Sequence, residues 1–217
     1  MSNVPKIPEH QSVYQQLYDM LLLGKVAPGQ PLTIMGLAEM LSVGMTPVRE
    51  ALRRLAAEKA VTTLDNRRIV VPELSLNDIN DIYFLRFELE TELARRAAKF
   101  IEKKQIDRLT DIDANIDQAL EGGDVELYLE RNNQFHFMIY DIANSPVLFD
   151  TARSLWIRIG PSLRRVCGRY GTANLPDKHN ELLQAFRAGD GRTASKAMRG
   201  DLQQSLTLVT TQSFEKI

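Results

Sequence analysis

Cysteine is nearly absent from this chain of 217 residues and 24.6 kDa: Cys167 stands alone. One thiol forms no internal disulfide and no cysteine-based zinc site, which suits a reducing cytoplasm. Long apolar runs are also missing. The longest are four-residue pieces such as Met20–Leu23 and Phe137–Tyr140, far too short to span a bilayer. Met1 to Gln11 carries two prolines and no apolar core, so no signal peptide and no membrane are expected. Neither charge dominates, 27 Lys+Arg standing against 28 Asp+Glu, which argues against wholesale coating of nucleic acid. There is no fixed-period repeat, no low-complexity tract, and no H-E-x-x-H or G-x-S-x-G motif. What remains is globular: 44% hydrophobic and 25% charged residues, enough chain to bury a core without staples.

The first 72 residues differ from the rest. Val13, Leu17, Met20 and Leu21 recur at helical spacing from Glu9 to Leu23, and Gly24, Pro28-Gly29 and Pro31 interrupt the chain. Thr33 can cap a helix over Ile34 to Leu41. Thr46-Pro47 then opens a third helix carrying Val48, Ala51, Leu52 and Leu55 on one face. Two β-prone runs follow, Ala60–Leu64 and Ile69–Val71, with Asp65-Asn66 as the turn. This order outlines a winged helix-turn-helix. From Ser75 onward the pattern is helical throughout, with helices expected to Ile101 and over 103–121, 124–143, 146–170, 174–188 and 190–211. Gly122-Gly123, Asn144-Ser145-Pro146, Gly171-Thr172 and Gly189 mark the breaks. The fold class is mainly α: a winged helix-turn-helix over 1–74 and an all-helical antiparallel bundle over 75–217.

Charge follows the same division. Residues 1–72 hold eight Lys+Arg against six Asp+Glu, and the remainder 19 against 22. Six of those eight cations lie between Arg49 and Arg68, on the third helix and the hairpin, where duplex phosphates would be met. A helix entering the major groove reads bases with its N-terminal residues, here Met45, Thr46 and Arg49. Arg49 and Arg53, four apart, share a face, and the arginine fork matches guanine. The same face also reads as a solvated surface with internal ion pairs.

In the helical half, polar residues fall where helical geometry expects core. Asn132 and His136 share a stripe with Leu129, Ile139 and Ala143; His179 lies with Leu175, Leu182, Leu183 and Phe186. Asp201 falls among Ala194, Ala197, Met198 and Leu208, and Arg86 and Glu90 among Ile79, Ile82, Tyr83, Leu93 and Ala97. Buried charges need partners, so these stripes point to one polar cavity. Two imidazoles, a carboxylate and an amide oxygen could hold a divalent transition metal, with Zn, Ni, Mn and Fe all open. Alternatively each histidine is a hydrogen-bonded core residue. Arg86 is either a clamp for an effector carboxylate or the partner of Glu90, four residues on. Arg164 and Arg165 are weaker candidates, and Trp156 and Cys167 read as core.

The segment LTIMGLAEMLSVGMTPVREALRRLAAEKAV resembles the DNA-binding domain of the GntR family of bacterial transcription regulators. Pro28-Gly29, Leu32, Leu37-Ala38 and the block from Thr46 through Leu55 carry the likeness, which continues through the helical half as a FadR-type (FCD) effector domain. It implies a cytoplasmic homodimer that reads a roughly palindromic double-stranded DNA operator and senses a small carboxylate beside a metal. The metal pattern of that branch lands on Asn132, His136, His179 and Asp201, with Asn in place of the first Asp and Asp in place of the last His. The family also has Arg before Thr-Pro and a glycine in the wing; Met45 and Arg67-Arg68 stand there. Met45 removes a candidate guanine contact, while Arg67 and Arg68 add candidate phosphate or minor-groove contacts. A metal-dependent hydrolase with an N-terminal interaction module is the competing class, weakened by the absent catalytic motifs.

Overall fold

The computed structural model describes residues 8–65, 67–170 and 177–214. Asn66 of the expected turn, the Gly171-Thr172 break and Leu175 lie outside the described residues.

The N-terminal elements are α1 (Glu9–Leu22), β1 (Pro31–Leu32), α2 (Ile34–Leu41), α3 (Met45–Ala57), β2 (Thr62–Thr63) and β3 (Ile69–Val70). Thr33 caps α2, its side chain accepting from the Gly36 amide at 3.1 Å. The third helix begins one residue before Thr46. Gly44 takes the cap position and Pro47 sits within the first turn, where its missing N–H removes no helical bond. The hairpin strands are shorter than expected, and a third strand joins them: the antiparallel order is β1-β3-β2, pairing Pro31 with Val70 and Leu32 with Ile69. Pro31 is tolerated because β1 is an edge strand.

Six helices follow: α4 (Leu76–Phe100), α5 (Lys103–Gly122), α6 (Val125–Ile142), α7 (Pro146–Tyr170), α8 (Lys178–Arg187) and α9 (Gly191–Phe214). Ser75 starts α4 with a reciprocal capping box, its Oγ accepting from Asp78 N while the Asp78 carboxylate accepts from Ser75 N at 2.9 Å. Helix α4 is the axis of the bundle, packed against α6, α7, α8 and α9. Asp124 and Asp177 cap α6 and α8. No helix among the described residues is long and apolar enough to cross a membrane.

One apolar core runs through both halves, from Val13, Leu17 and Leu55 to Phe135, Ile157 and Met198. Helix α1 makes the connection, packing on α3 with one side and on α7 with the other. Gly160 permits that crossing, since a Cβ there would lie 2.5 Å from the Leu21 carbonyl oxygen and 2.6 Å from that of Leu22.

Candidate functional site

A cavity of about 350 Å³ opens within the bundle. Its polar lining draws on separate helices: Arg86 from α4, Asp113 from α5, Asn132 and His136 from α6, His179 from α8 and Asp201 from α9. The four expected metal-site residues and Arg86 thus share one cavity. Among the described residues, His136, His179 and Asp201 form a group whose ligand atoms lie within 4.8 Å of one another. Asn132 lines the same wall one turn before His136.

Proton accounting at Tyr140 decides what this group can do. Tyr140 donates its only proton to Glu90, so toward the His136 Nδ1, 3.2 Å away, its oxygen can only accept. His136 therefore carries its proton on Nδ1. Burial first, then the charges of His179 and Arg86, pull its pKa well below the ordinary histidine value and keep the ring neutral. Its Nε2 is left with a bare lone pair facing the Asp201 carboxylate at 3.4 Å. His179 is oriented similarly but by a carboxylate. Nδ1 is held by Asp113 at 2.8 Å while Nε2 faces Asp201 at 3.7 Å. Burial lowers the His179 pKa, but the Asp113 hydrogen bond and the charges of Asp201, Asp113 and Asp177 outweigh it and raise the value. Burial also raises Asp201.

The bare His136 lone pair and the Asp201 carboxylate repel unless a proton or cation lies between them, whereas His179, its pKa raised, can meet Asp201 through its own proton until a metal displaces it. A tetrahedral ion with bonds of about 2.0–2.1 Å holds its donors roughly 3.3 Å apart; the two Nε2–Asp201 spacings of 3.4 and 3.7 Å approach that, within a group spread over up to 4.8 Å. Hydrogen-bonded outer nitrogens are how metal-binding histidines are oriented. The donor set fits a divalent transition metal, which His136, His179 and Asp201 could hold with Asn132 beside them.

Arg86 is paired with Glu90, the second of its two readings. It is 2% exposed, and its Nε and Nη2 donate to Glu90 at 2.6 and 3.3 Å. Glu90 is fully buried and also accepts from Trp156 Nε1 at 3.1 Å and from Tyr140. The guanidinium lies 4.4 Å from the Trp156 ring centroid and 4.9 Å from that of Tyr83. Its Nη1 is buried with no acceptor among the described residues, in a side chain lining the cavity. Burial opposes the charge on Arg86, but the adjacent Glu90 and tyrosines outweigh it and raise its pKa.

Sequence reasoning did not single out Asp113 or Tyr140, and it took Trp156 for core alone. Trp156 is buried and lines the cavity as well. The i, i+4 spacing of His136 and Tyr140 was the available signal for the second residue. Arg164 and Arg165 are not in the cavity lining; Arg164 approaches Glu126 at 4.0 Å and Arg165 is exposed.

At the other end, Met45, Thr46, Arg49, Arg53, Arg67 and Arg68 are all exposed. Arg49 and Arg53 have no acidic partner among the described residues, unlike Arg54, which pairs with Glu58 at 3.2 Å and lies 3.7 Å over the Tyr14 ring. The ion-pair reading of this face holds for Arg54 alone. Arg67 adopts a left-handed backbone (φ 61°) at the wing turn, the conformation for which a glycine is usual.

Residues 9–71 match the family model of bacterial regulatory proteins, gntR family, and residues 81–204 that of the FCD domain. The chain is 30% identical to the HTH-type transcriptional regulator McbR of Escherichia coli (strain K12), over 91% of this chain and 90% of that protein. It is 26% identical to the HTH-type transcriptional repressor RspR of the same strain, over 92% and 88% of the two chains. The solved structure of E. coli McbR/YncC superposes with a TM-score of 0.90 at 28% identity, covering 96% of this chain and all of that one. A regulator from Rhodococcus sp. RHA1 shares the fold at a TM-score of 0.76 and 20% identity, over 95% and 99% of the chains. These relatives are named as regulators, and the hydrolase reading finds no support in them. The chain belongs to the gntR family of bacterial regulatory proteins, in the branch with an FCD domain, and is a ligand-responsive DNA-binding transcription regulator rather than an enzyme.

Proposed function

We propose that residues 1–74 read a roughly palindromic operator as one head of a cytoplasmic homodimer, and that residues 75–217 sense a small carboxylate beside a bound metal. In the head, Met45, Thr46 and Arg49 meet base edges from the N-terminus of α3, while Arg53, Arg67 and Arg68 meet phosphates or the minor groove. The unpaired guanidinium groups of Arg49 and Arg53 support this, since an internal ion pair would have spent them. Phe84 and Leu85, adjacent and exposed on α4, offer apolar surface for a second copy.

In the bundle, His136, His179 and Asp201 hold a Zn, Ni, Mn or Fe ion with Asn132 at its edge, and Arg86 Nη1 receives the effector carboxylate. The observation that carries the sensor reading is the convergence of the His136 and His179 Nε2 atoms on the Asp201 carboxylate, beside a buried guanidinium N–H without an acceptor among the described residues.

The test pairs two variants of the full chain. Arg49→Ala weakens operator binding by roughly 1–3 kcal/mol in fluorescence anisotropy while metal content, read by mass spectrometry, stays unchanged. His136→Ala does the reverse, losing the metal. Unchanged operator affinity in Arg49→Ala refutes the head assignment. A metal-free wild type after purification in metal-supplemented buffer refutes the site.

A further inference from the structure

Helix α5 turns a carboxylate toward the cavity at every turn. Asp113, Asp117 and Glu121, spaced four residues apart, all line it, and Asp177 lines it from the start of α8. Like charges at this spacing destabilise a helix, so the ladder calls for a neutralising partner. Two of the four are occupied: Asp113 holds His179 at 2.8 Å, and Asp177 caps α8 through the Asn180 amide. Asp117 and Glu121 have no hydrogen-bond donor or ion-pair partner among the described residues. Burial, and then the charges of Asp113 and Asp177, raise the Asp117 pKa, only partly offset by the charge of His179. Lys178 also lines the cavity, but its ammonium is bound to Glu181 at 2.5 Å.

The floor shows the opposite imbalance. Arg86 is 2% exposed, lines the cavity, and keeps Nη1 buried with no acceptor among the described residues. One cavity of about 350 Å³ therefore has an unmatched donor at its buried end and unmatched carboxylates at its exposed end. That volume suits a small organic molecule.

We infer that the effector is a zwitterion, an amino carboxylate whose carboxylate meets Arg86 and whose ammonium meets Asp117 and Glu121. The inference rests on the carboxylate-sensor reading and narrows it. A dicarboxylate would set its second anion against the α5 ladder, and a plain monocarboxylate would leave the ladder unmatched. A second divalent cation on the ladder is the competing way to neutralise it.

Isothermal titration of the full-length, metal-loaded protein decides the matter. Glycine, β-alanine, γ-aminobutyrate and ε-aminocaproate are each compared with the carboxylate of the same carbon chain lacking the amine, and with the matching dicarboxylate. At least one amino carboxylate is expected to bind about tenfold tighter than both of its matches. Asp117→Asn, an exposed substitution, should remove most of that advantage, bringing the amino carboxylate toward the level of its plain match. Plain or dicarboxylic acids that bind as tightly as their amino counterparts throughout overturn the inference and leave the sensor reading standing. A second equivalent of divalent metal that Asp117→Asn removes overturns it too. If no compound gives saturable heat while operator binding is intact, the carboxylate-sensor reading itself fails, and this inference with it.

Discussion

Tyr140 owns one proton, and by giving it to Glu90 it fixes the tautomer of His136 and bares the nitrogen that faces Asp201. Asp113 orients His179 in turn, holding its Nδ1 at 2.8 Å so that Nε2 faces Asp201. Such outer partners typically set metal affinity by ten- to a hundredfold. Asp113→Asn is accordingly expected to weaken metal binding by about 10–100-fold in competition with a chromophoric chelator, with the helical circular dichroism unchanged. His136, His179 and Asp201 were legible in the sequence because each is polar on an apolar helical stripe. Asp113 was not, because its partner lies 66 residues away and nothing in local spacing ties the two.

A different carboxylate sets acid stability. Glu92 accepts from Arg95 at 2.6 Å and from Arg96 at 2.7 Å, and these bonds, opposed by partial burial, lower its pKa from 4.5 to about 2. The folded value lies below the unfolded one, so this stabilisation is fully present above about pH 4.5 and is lost as pH falls toward 2. The group is partly solvated, so the contribution is on the order of 1 kcal/mol. Urea denaturation between those pH values should show a shallower fall in stability for Glu92→Gln than for the native chain. An identical slope would remove Glu92 from the acid transition.

At the scale of elements, capping and periodicity made α1, α2 and α4 readable, since Thr33 and Ser75 act locally on their own helices. Strand β1 was hidden: two residues, one of them proline, acquire strand geometry only by pairing with β3 nearly forty positions later. The wing shows local preference overridden. Arg67 holds a φ of 61°, which costs a non-glycine residue roughly 1–2 kcal/mol, in a turn closed by the Arg67 amide donating to the Leu64 carbonyl at 2.8 Å. Retaining arginine at such a place makes sense if its charge is used on DNA. Arg67→Gly should therefore raise thermal stability slightly while weakening operator binding and reducing the steepness of its salt dependence by about one phosphate contact. Tighter operator binding in the glycine variant would show that the wing makes no such contact.

At the scale of the molecule, the question is how a cavity in the bundle reaches α3. Helix α7 lines the cavity with Trp156, whose Nε1 donates to Glu90, the carboxylate that also holds Arg86. Three residues before Trp156 and four after it, the same helix grips α1. Arg153 donates to the Tyr18 hydroxyl at 3.3 Å and lies over its ring at 4.9 Å, and Gly160 admits the carbonyls of Leu21 and Leu22. One turn earlier on the same face of α1, its ring centroid 6.0 Å from that of Tyr18, Tyr14 donates to Glu58 at 2.8 Å, beside the end of α3, with Arg54 stacked on its ring. The cavity and α3 are thus joined through one helix packed on both halves, a short physical route between the two proposed sites. If an effector that draws on Arg86 shifts Trp156, α7 moves, and α1 carries α3 with it. Arg153→Ala should then leave operator affinity without effector, and effector affinity without operator, within a few-fold of the native values. The factor by which each ligand alters the affinity for the other, typically 5- to 150-fold, should fall toward one. Anisotropy titrations of operator DNA with and without saturating effector measure that factor directly, and linkage requires the reverse experiment to give the same number. A factor unchanged by Arg153→Ala would mean that the signal passes between subunits or through the Val71–Ser75 connection instead.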